Sequence, residues 1–508
     1  MGTTKLNLIK GTMVITIFAA VGKIIGAFFK IGLVNVVGSE GMGIYQLLFP
    51  LFVFFVIFAS EGHSLAITVE IAKGQKDKVC AFKRYSLKAL LFSSLVVGLS
   101  VVFLAPLFSK LQGENIPLFL YYELSVVIVI VSIVGYLKGI VRGYEAFKLY
   151  SVTETIEQLS KVFFSLILGL IFSRFGVGAS IVGVFAGIIL SSLVSAIFLV
   201  LRGRKYFSFK TIDKMLGTAE KRQYLSFVSL SSLAAIIIPA LQFVDSILIV
   251  NILSKTIPAI DATKLLGISR GSVGAILNLP FFLLVSFEFL LLPNLTRTTG
   301  EGYFKKTALS IGIAFFVSVP FTMGYLLFSR EIVSALYGEA LSEAELQIAA
   351  NLLKIGSLSL VFAALSQVVC IFLESNKKMF STVLSSLIAG VLKIVCLVLL
   401  LPHISIYGAE ISGVLFIMIE CLINLIFAVR YKLFKKPVFI GLIFVGWGFV
   451  FAAIYCLKML LGVVLGDVIS LVVSTCFVGV FLLGVGLIIY KLKKQQLDSF
   501  ISKLLTFE

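Results

Sequence analysis

Charge is what this sequence has least of. Asp, Glu, Lys and Arg make up 13% of its 508 residues, against 59% hydrophobic ones, where soluble domains carry roughly 25% charged residues. That excludes a soluble globule and predicts an all-α, polytopic membrane protein. Cysteine builds no framework either. Cys80, Cys370, Cys396, Cys421, Cys456 and Cys476 mostly lie in apolar runs without CxxC spacing, so they read as small buried hydrophobes, with no disulfide or metal set. A Walker A loop, an HExxH helix and a nucleophile elbow are all missing, and no soluble segment is large enough to house one. The expectation is a protein that is not an enzyme, holds no cofactor or metal and does not by itself hydrolyse ATP. A cleavable leader is also not expected, because the first apolar run is too long for a signal-peptide core and lacks a small-residue cleavage pattern.

Acids are scarcer than bases: 25 Asp and Glu against 43 Lys and Arg, a net charge of +18. In a soluble protein that excess would suggest nucleic acid; here its distribution argues for topology and against a nucleic-acid partner. A helix needs roughly 20 apolar residues to cross a bilayer. Apolar runs read against loop signals predict fourteen spans: 11–36, 42–71, 86–108, 117–140, 149–172, 178–201, 224–253, 266–293, 307–328, 350–373, 379–401, 407–429, 438–462 and 468–490. Alternate loops then place 31 of the 43 Lys and Arg on one side and five on the other, with seven inside or at the ends of spans. Cytoplasmic loops carry the excess, so both termini are expected in the cytoplasm. The loop Arg202 to Arg222 and the tail after Lys491 mix lysines with apolar residues. Both suit the anionic leaflet surface, and both are equally well read as topology-setting charge.

The chain repeats itself. Gly178-Ala-Ser-Ile-Val-Gly-Val184 recurs as Gly408-Ala-Glu-Ile-Ser-Gly-Val414, and Ser160-Lys161-Val162 has a counterpart in Leu392-Lys393-Ile394. Six helices separate the copies, so the halves share one orientation, a parallel repeat of the kind that transporters build around a substrate path. The expected organisation is a six-helix bundle over 1–201, a basic linker over 202–223, a second six-helix bundle over 224–430, extra helices over 431–490 and a tail over 491–508.

Within the spans, ionisable residues stand out because they are costly in lipid and mark function by default. Lys23 and Lys30 are seven residues apart in the first span, two helical turns, so both share one face. Lys161 and Lys393 sit near the middles of spans five and eleven. These four are the candidate substrate-binding cations. Glu154, Glu157 and Lys161 share one face of span five at spacings of three and four, the geometry of pairing along a helix. An internal ion pair that only holds helices in register is the competing reading of that face. Asp245 and Glu420 are further polar candidates for coupling or structure, with Glu61 and His63, set beside glycine where the second span is open to a local break. A lone His is more often a hydrogen-bonded core residue than a proton carrier. Asn278-Leu-Pro280 predicts a kink in span eight.

Gly22-Lys-Ile-Ile-Gly26 followed by Lys30, then Gly38-Ser-Glu-Gly-Met-Gly-Ile-Tyr-Gln-Leu-Leu-Phe-Pro50, resembles the opening of the stage V sporulation protein B group. That group belongs to the polysaccharide transporter branch of the multidrug/oligosaccharidyl-lipid/polysaccharide exporter superfamily. Arg142-Gly-Tyr144, Thr153 to Lys161, Asn278-Leu-Pro280 and Leu336-Tyr-Gly338 follow in the same order, and the resemblance runs from about residue 8 to 430. It implies two facing six-helix bundles with two extra helices, in a group that includes proteins similar to lipid II flippases. It also implies that first-helix cations, here Lys23 and Lys30, meet a pyrophosphate. Relatives often have Arg there; Lys keeps the charge and loses the bidentate contact.

The favoured expectation is a flippase for an undecaprenyl-pyrophosphate-linked saccharide, a lipid II-like precursor or another envelope oligosaccharide, in the bacterial cytoplasmic membrane. Its partners would be that lipid-linked saccharide and membrane lipids, with envelope-synthesis enzymes as further candidates and a monomer as the expected state. The alternatives are a cation-coupled multidrug exporter of the same superfamily and a non-transporting scaffold for cell-wall or spore-envelope assembly.

Overall fold

The structure, a computed structural model, describes residues 2–74, 76–113, 116–207, 216–280, 301–376 and 378–431. Among them every regular element is helical. Ten stretches of the described residues are long and apolar enough to cross a membrane, and the chain is a multi-pass membrane protein. The expected spans thirteen and fourteen and the tail lie outside the described residues, as do the outer part of span eight and the middle of the 202–223 linker.

The elements run α1 (Gly2–Val56), α2 (Gly62–Ala72), α3 (Lys76–Leu111), α4 (Leu118–Gly143), α5 (Phe147–Phe172), α6 (Val177–Arg202), α7 (Thr218–Leu253), α8 (Ala259–Leu266), α9 (Glu301–Tyr337), α10 (Glu343–Ser375), α11 (Met379–Ile404) and α12 (Ile406–Arg430). The first holds two sequence spans joined at Gly38, whose φ of 68° and ψ of −173° break the helix. Only glycine adopts that conformation without strain. Wide, π-type turns at Ile57–Glu61 and Gly267–Val273 follow α1 and α8 without interrupting the rod, so the helix at Glu61 is widened rather than broken. The expected kink at Pro280 falls at the limit of the described residues.

Two compact units emerge: one of Met1–Ala275 with Leu401–Ile406, the other of Ile276–Leu400 with Tyr407–Glu508. In the first, the stretch after Gly38 lies backbone against backbone on α8. A Cβ on Gly43 would sit 2.0 Å from the Thr263 carbonyl oxygen, and one on Gly267 would sit 2.2 Å from that of Ser39. The Gln46 side-chain amide donates to the Arg270 carbonyl at 3.1 Å, pinning the contact. Of the glycines in Gly38-Ser-Glu-Gly-Met-Gly, Gly43 is therefore the packing surface, while Gly38 makes the bend. The repeated Gly-Ala-Ser-Ile-Val-Gly-Val acts likewise between α5 and α6. There Ser180 donates to the Gly169 carbonyl (2.7 Å) and Ser165 to that of Val184 (2.9 Å), while a Cβ on Gly183 would lie 2.4 Å from the Leu168 carbonyl oxygen. Small residues with hydroxyls make such contacts in lipid, where apolar burial gives helices no reason to associate.

Near the end of the first unit's polar loops, Lys83 is buried to 1% exposure. Its amine donates to the Tyr144 hydroxyl (2.9 Å) and the Tyr206 carbonyl (2.6 Å) and lies 4.7 Å from the Tyr144 ring centroid. Lys83 of α3 is thus a structural clamp on Tyr144 and Tyr206, two of its three donors taken by them. Tyr224 and Val228 of α7 complete the same core with Ile67, Phe82 and Tyr136. In the second unit, α10 begins at a capping box in which Ser342 and Glu345 satisfy each other's backbone N–H groups. Phe315, Val319, Val369, Phe372 and Cys421 build the core shared by α9, α10 and α12.

Candidate functional site

The first unit holds the densest set of candidate residues, on α1, α4 and α5. Phe29, Tyr45 and Phe49 form an aromatic wall on α1, Tyr45 stacked on Phe49 with centroids 5.1 Å apart. The Lys161 amine of α5 faces that wall, 5.0 Å from the Phe29 ring centroid and 5.8 Å from that of Phe49. Lys30, next to Phe29, lies close enough for the two like charges to repel. Among the described residues neither amine has an ion-pair or hydrogen-bonding partner; ring faces take the place of carboxylates for Lys161. Lys23 lies on the same helix, but its side chain is outside the described residues.

The expected pairing of Lys161 with Glu154 and Glu157 is corrected by the structure. Both carboxylates go to Lys138 of α4, at 2.8 Å from Glu154 and 2.7 Å from Glu157. Glu157 also accepts from the Ser195 hydroxyl at 2.7 Å. Spacing along one helix made Lys161 available, but a lysine reaching across from α4 meets both acids at once. The acid nearest to Lys161 is therefore already engaged. Three amines and two carboxylates share this region, which leaves positive charge in excess on the Lys30 and Lys161 side. Lys138 was missed in the sequence because it reads as the first member of a basic loop; two acids one turn apart on α5, in need of a cation, were the available signal.

His63 is a hydrogen-bonded core residue. Its Nδ1 lies 2.9 Å from the Tyr224 hydroxyl and its Nε2 3.3 Å from Ser93 Oγ, and it is 4% exposed. Glu61, at the end of the wide turn, is exposed. Next to it the Gly62 N–H donates to Ser232 Oγ on α7 at 3.2 Å. Asp245 on α7 pairs with Arg270 in the second wide turn at 2.8 Å. In the second unit the Lys393 amine lies 6.0 Å from the Phe416 ring centroid, and Glu420 accepts a hydrogen bond from Ser386. Among the described residues no cluster of three or more His, Cys, Asp or Glu is placed to hold a metal ion. The arrangement suits binding and release of an anion by two neighbouring amines, that of Lys161 held against an aromatic wall.

The sequence pattern of the polysaccharide biosynthesis protein family matches residues 8–299. The chain is 23% identical over 439 residues to the lipid II flippase MurJ of Bacillus subtilis (strain 168), covering 80% of this chain and 78% of that protein. It is 21% identical over 308 residues to the stage V sporulation protein B of the same strain, covering 58% of this chain and 59% of the relative. The solved structure of lipid II flippase MurJ in an inward closed conformation superposes with a TM-score of 0.74 at 14% identity, over 94% of this chain and 98% of that one. That likeness is one of fold.

Proposed function

The chain belongs to the polysaccharide biosynthesis protein family, and from that premise we propose that it is a flippase carrying an undecaprenyl-pyrophosphate-linked saccharide across the bacterial cytoplasmic membrane by alternating access. The observation that carries this reading is the pair Lys30 and Lys161, two amines in membrane-spanning helices that, among the described residues, are in no ion pair, Glu157 attracting Lys161 only from beyond ion-pair reach. A pyrophosphate is the group that must be coaxed through hydrocarbon, and an anion entering beside the two amines relieves their mutual repulsion as it gains charge-assisted hydrogen bonds. Sugars need polar or aromatic faces, which Phe29, Tyr45 and Phe49 offer in part, while the polyprenyl chain stays in lipid. No bond is made or broken, so the protein acts as a transporter and not as an enzyme. Both termini are cytoplasmic in this reading, as the Lys and Arg excess of alternate loops requires.

The test is passage of a labelled lipid-linked precursor across vesicles containing the purified protein. Lys161→Arg should retain flipping, whereas Lys30→Glu and Lys161→Glu should abolish it. A cation-coupled drug exporter calls for an acid where these amines stand. Efflux of cationic drugs from the same vesicles, with no movement of precursor, would establish that reading instead. A scaffold would leave both assays silent.

A further inference from the structure

We propose that Glu420, on α12 of the second unit, is a proton-binding site, and that the hydrogen-bonded chain joining α11 to α12 is built for its protonated form. Five oxygens stand in line across that helix pair. Ser386 Oγ contacts both Glu420 Oε1 and the Thr382 carbonyl oxygen, the latter at 3.1 Å. Ser385 Oγ contacts the same carbonyl oxygen at 2.9 Å and Asn424 Oδ1 at 2.5 Å. Four oxygen-to-oxygen contacts result, and two hydroxyls bring two hydrogens to them. Asn424 adds none, because its amide hydrogens face Ser366 Oγ and Cys370 Sγ, each at 3.2 Å. A hydrogen on Glu420 supplies the third: the carboxyl donates to Ser386, Ser386 donates to Thr382, and Ser385 donates to Asn424. With it three of the four contacts carry a hydrogen, only that between Ser385 and the Thr382 carbonyl going without. Without it two do, and Ser386 serves only one of its two acceptors.

The surroundings agree. An ionised carboxylate has about four lone-pair sites to satisfy, and Glu420 meets one neutral hydroxyl and, among the described residues, no ion pair. A carboxylate taken from water without compensation is neutralised in preference to staying charged. The titratable or charged groups nearest to the carboxyl are Cys370 of α10 beside Asn424, Cys421 buried next to Glu420 on α12 itself, and Lys393 of α11, 6.0 Å from the Phe416 ring centroid. One to two turns further along lie Glu374 of α10 and Tyr431, the latter against Ser381 and Lys378. The α9 residues in the same core, Phe315 and Val319 among them, are apolar. Glu420 is only half-buried, which leaves a route for the proton to come and go. Its ionisation removes a hydrogen from the link between α11 and α12, so proton exchange and any parting of those helices are coupled.

The experiment needs no transport assay, so it stands or falls apart from the flippase reading. A hydrophobic carbodiimide reacts with protonated carboxyls, and mass spectrometry of the full-length protein in detergent locates the adduct. Labelling of Glu420 should be present at mildly acidic pH, fall as pH rises and vanish in Glu420→Gln. Infrared spectra should show a protonated carboxyl band that the same substitution removes. The Gln variant, whose amide still donates to Ser386, should fold as the parent does; labelling of the unaltered protein decides the matter in any case. Absence of both adduct and band at every pH overturns the proposal. Protection of the carboxyl by sodium at fixed pH, with no protonated band, overturns it in favour of a metal-cation site.

Discussion

Lys138 and Lys161 differ above all in what lies against the amine. Both are lysines in membrane-spanning helices of the first unit, near the same two acids of α5. Lys138 holds both, with Ser195 completing Glu157. Lys161 has two rings, a neighbouring lysine and, beyond ion-pair reach, Glu157, which is already held by Lys138. A cation with two carboxylates is finished, and its work is structural. A cation beside another cation is an unfinished arrangement, and in the function proposed above an anion from outside completes it. The comparison teaches that depth in the membrane does not by itself separate function from architecture; the partner list does.

Charge reversal at Lys161 breaks the comparison most sharply. Lys161→Met should slow flipping of a lipid-linked pyrophosphate about ten- to a hundredfold, the equivalent of one lost charge-assisted hydrogen bond at about 1.5–3 kcal/mol. Lys161→Glu should slow it further by repelling the substrate, and Lys161→Arg should keep most of it. Rates in reconstituted vesicles decide, with thermal unfolding in detergent as the control, which should change little across the series. Equal flipping by the Glu variant and the parent would remove Lys161 from the mechanism.

Lys138→Met should do the reverse, with stability bearing the loss. It leaves two partly buried carboxylates without a cation, and breaking one side of a buried pair costs about 3–5 kcal/mol, here toward the lower figure because Glu154 keeps 32% exposure. Adding Glu154→Gln and Glu157→Gln should restore most of the lost thermal stability, since the stranded charges go with them. A single Lys138→Met variant as stable as the parent would make that cluster dispensable.

Much of this was legible before any coordinates. Apolar run lengths and the alternation of basic loops announced a multi-pass helical protein, and Gly38 was placed where two spans meet because a glycine-rich, polar stretch interrupts the run. Lys161 was legible for the same reason, as a charge where charge is costly. Its partners were not. Periodicity reports which residues share a face of one helix, and it offered Glu157 at one turn's distance; it does not report which residue of another helix competes. Lys138, five residues before the end of α4 and 16 residues from Glu154 in sequence, won that competition by geometry alone. The hydrogen-bonded chain at Glu420 was hidden in the same way, since Ser385 and Ser386 are unremarkable in a sequence rich in serine and gain meaning only opposite Asn424 and Glu420. That the two halves are copies, with Lys161 matching Lys393, rests on the repeated motif and is a proposal; superposition of 8–201 on 224–430 without inversion is its measurement.

The smallest effect sharpens the comparison furthest. Ser195 Oγ lies 2.7 Å from the same Glu157 oxygen that meets Lys138 and 3.0 Å from the Ser192 carbonyl oxygen of its own helix, and its single hydrogen goes to the carboxylate. Ser195→Ala removes one neutral donor and leaves both ion pairs in place, so the loss of stability should be about 1 kcal/mol, a small shift in thermal unfolding. The consequence for transport depends on where Glu157 then turns. One turn along α5 stands Lys161, and a carboxylate released from Ser195 gains by moving toward that amine. If it does, Lys161 acquires the acid it now lacks, and flipping should fall by more than the stability change accounts for. The double variant Ser195→Ala with Glu157→Gln should recover transport, because an amide cannot neutralise the amine. Flipping unchanged in Ser195→Ala would mean that Lys138 alone keeps Glu157 away from Lys161, and the separation of paired from unpaired lysine would then rest on one ion pair rather than on the whole cluster.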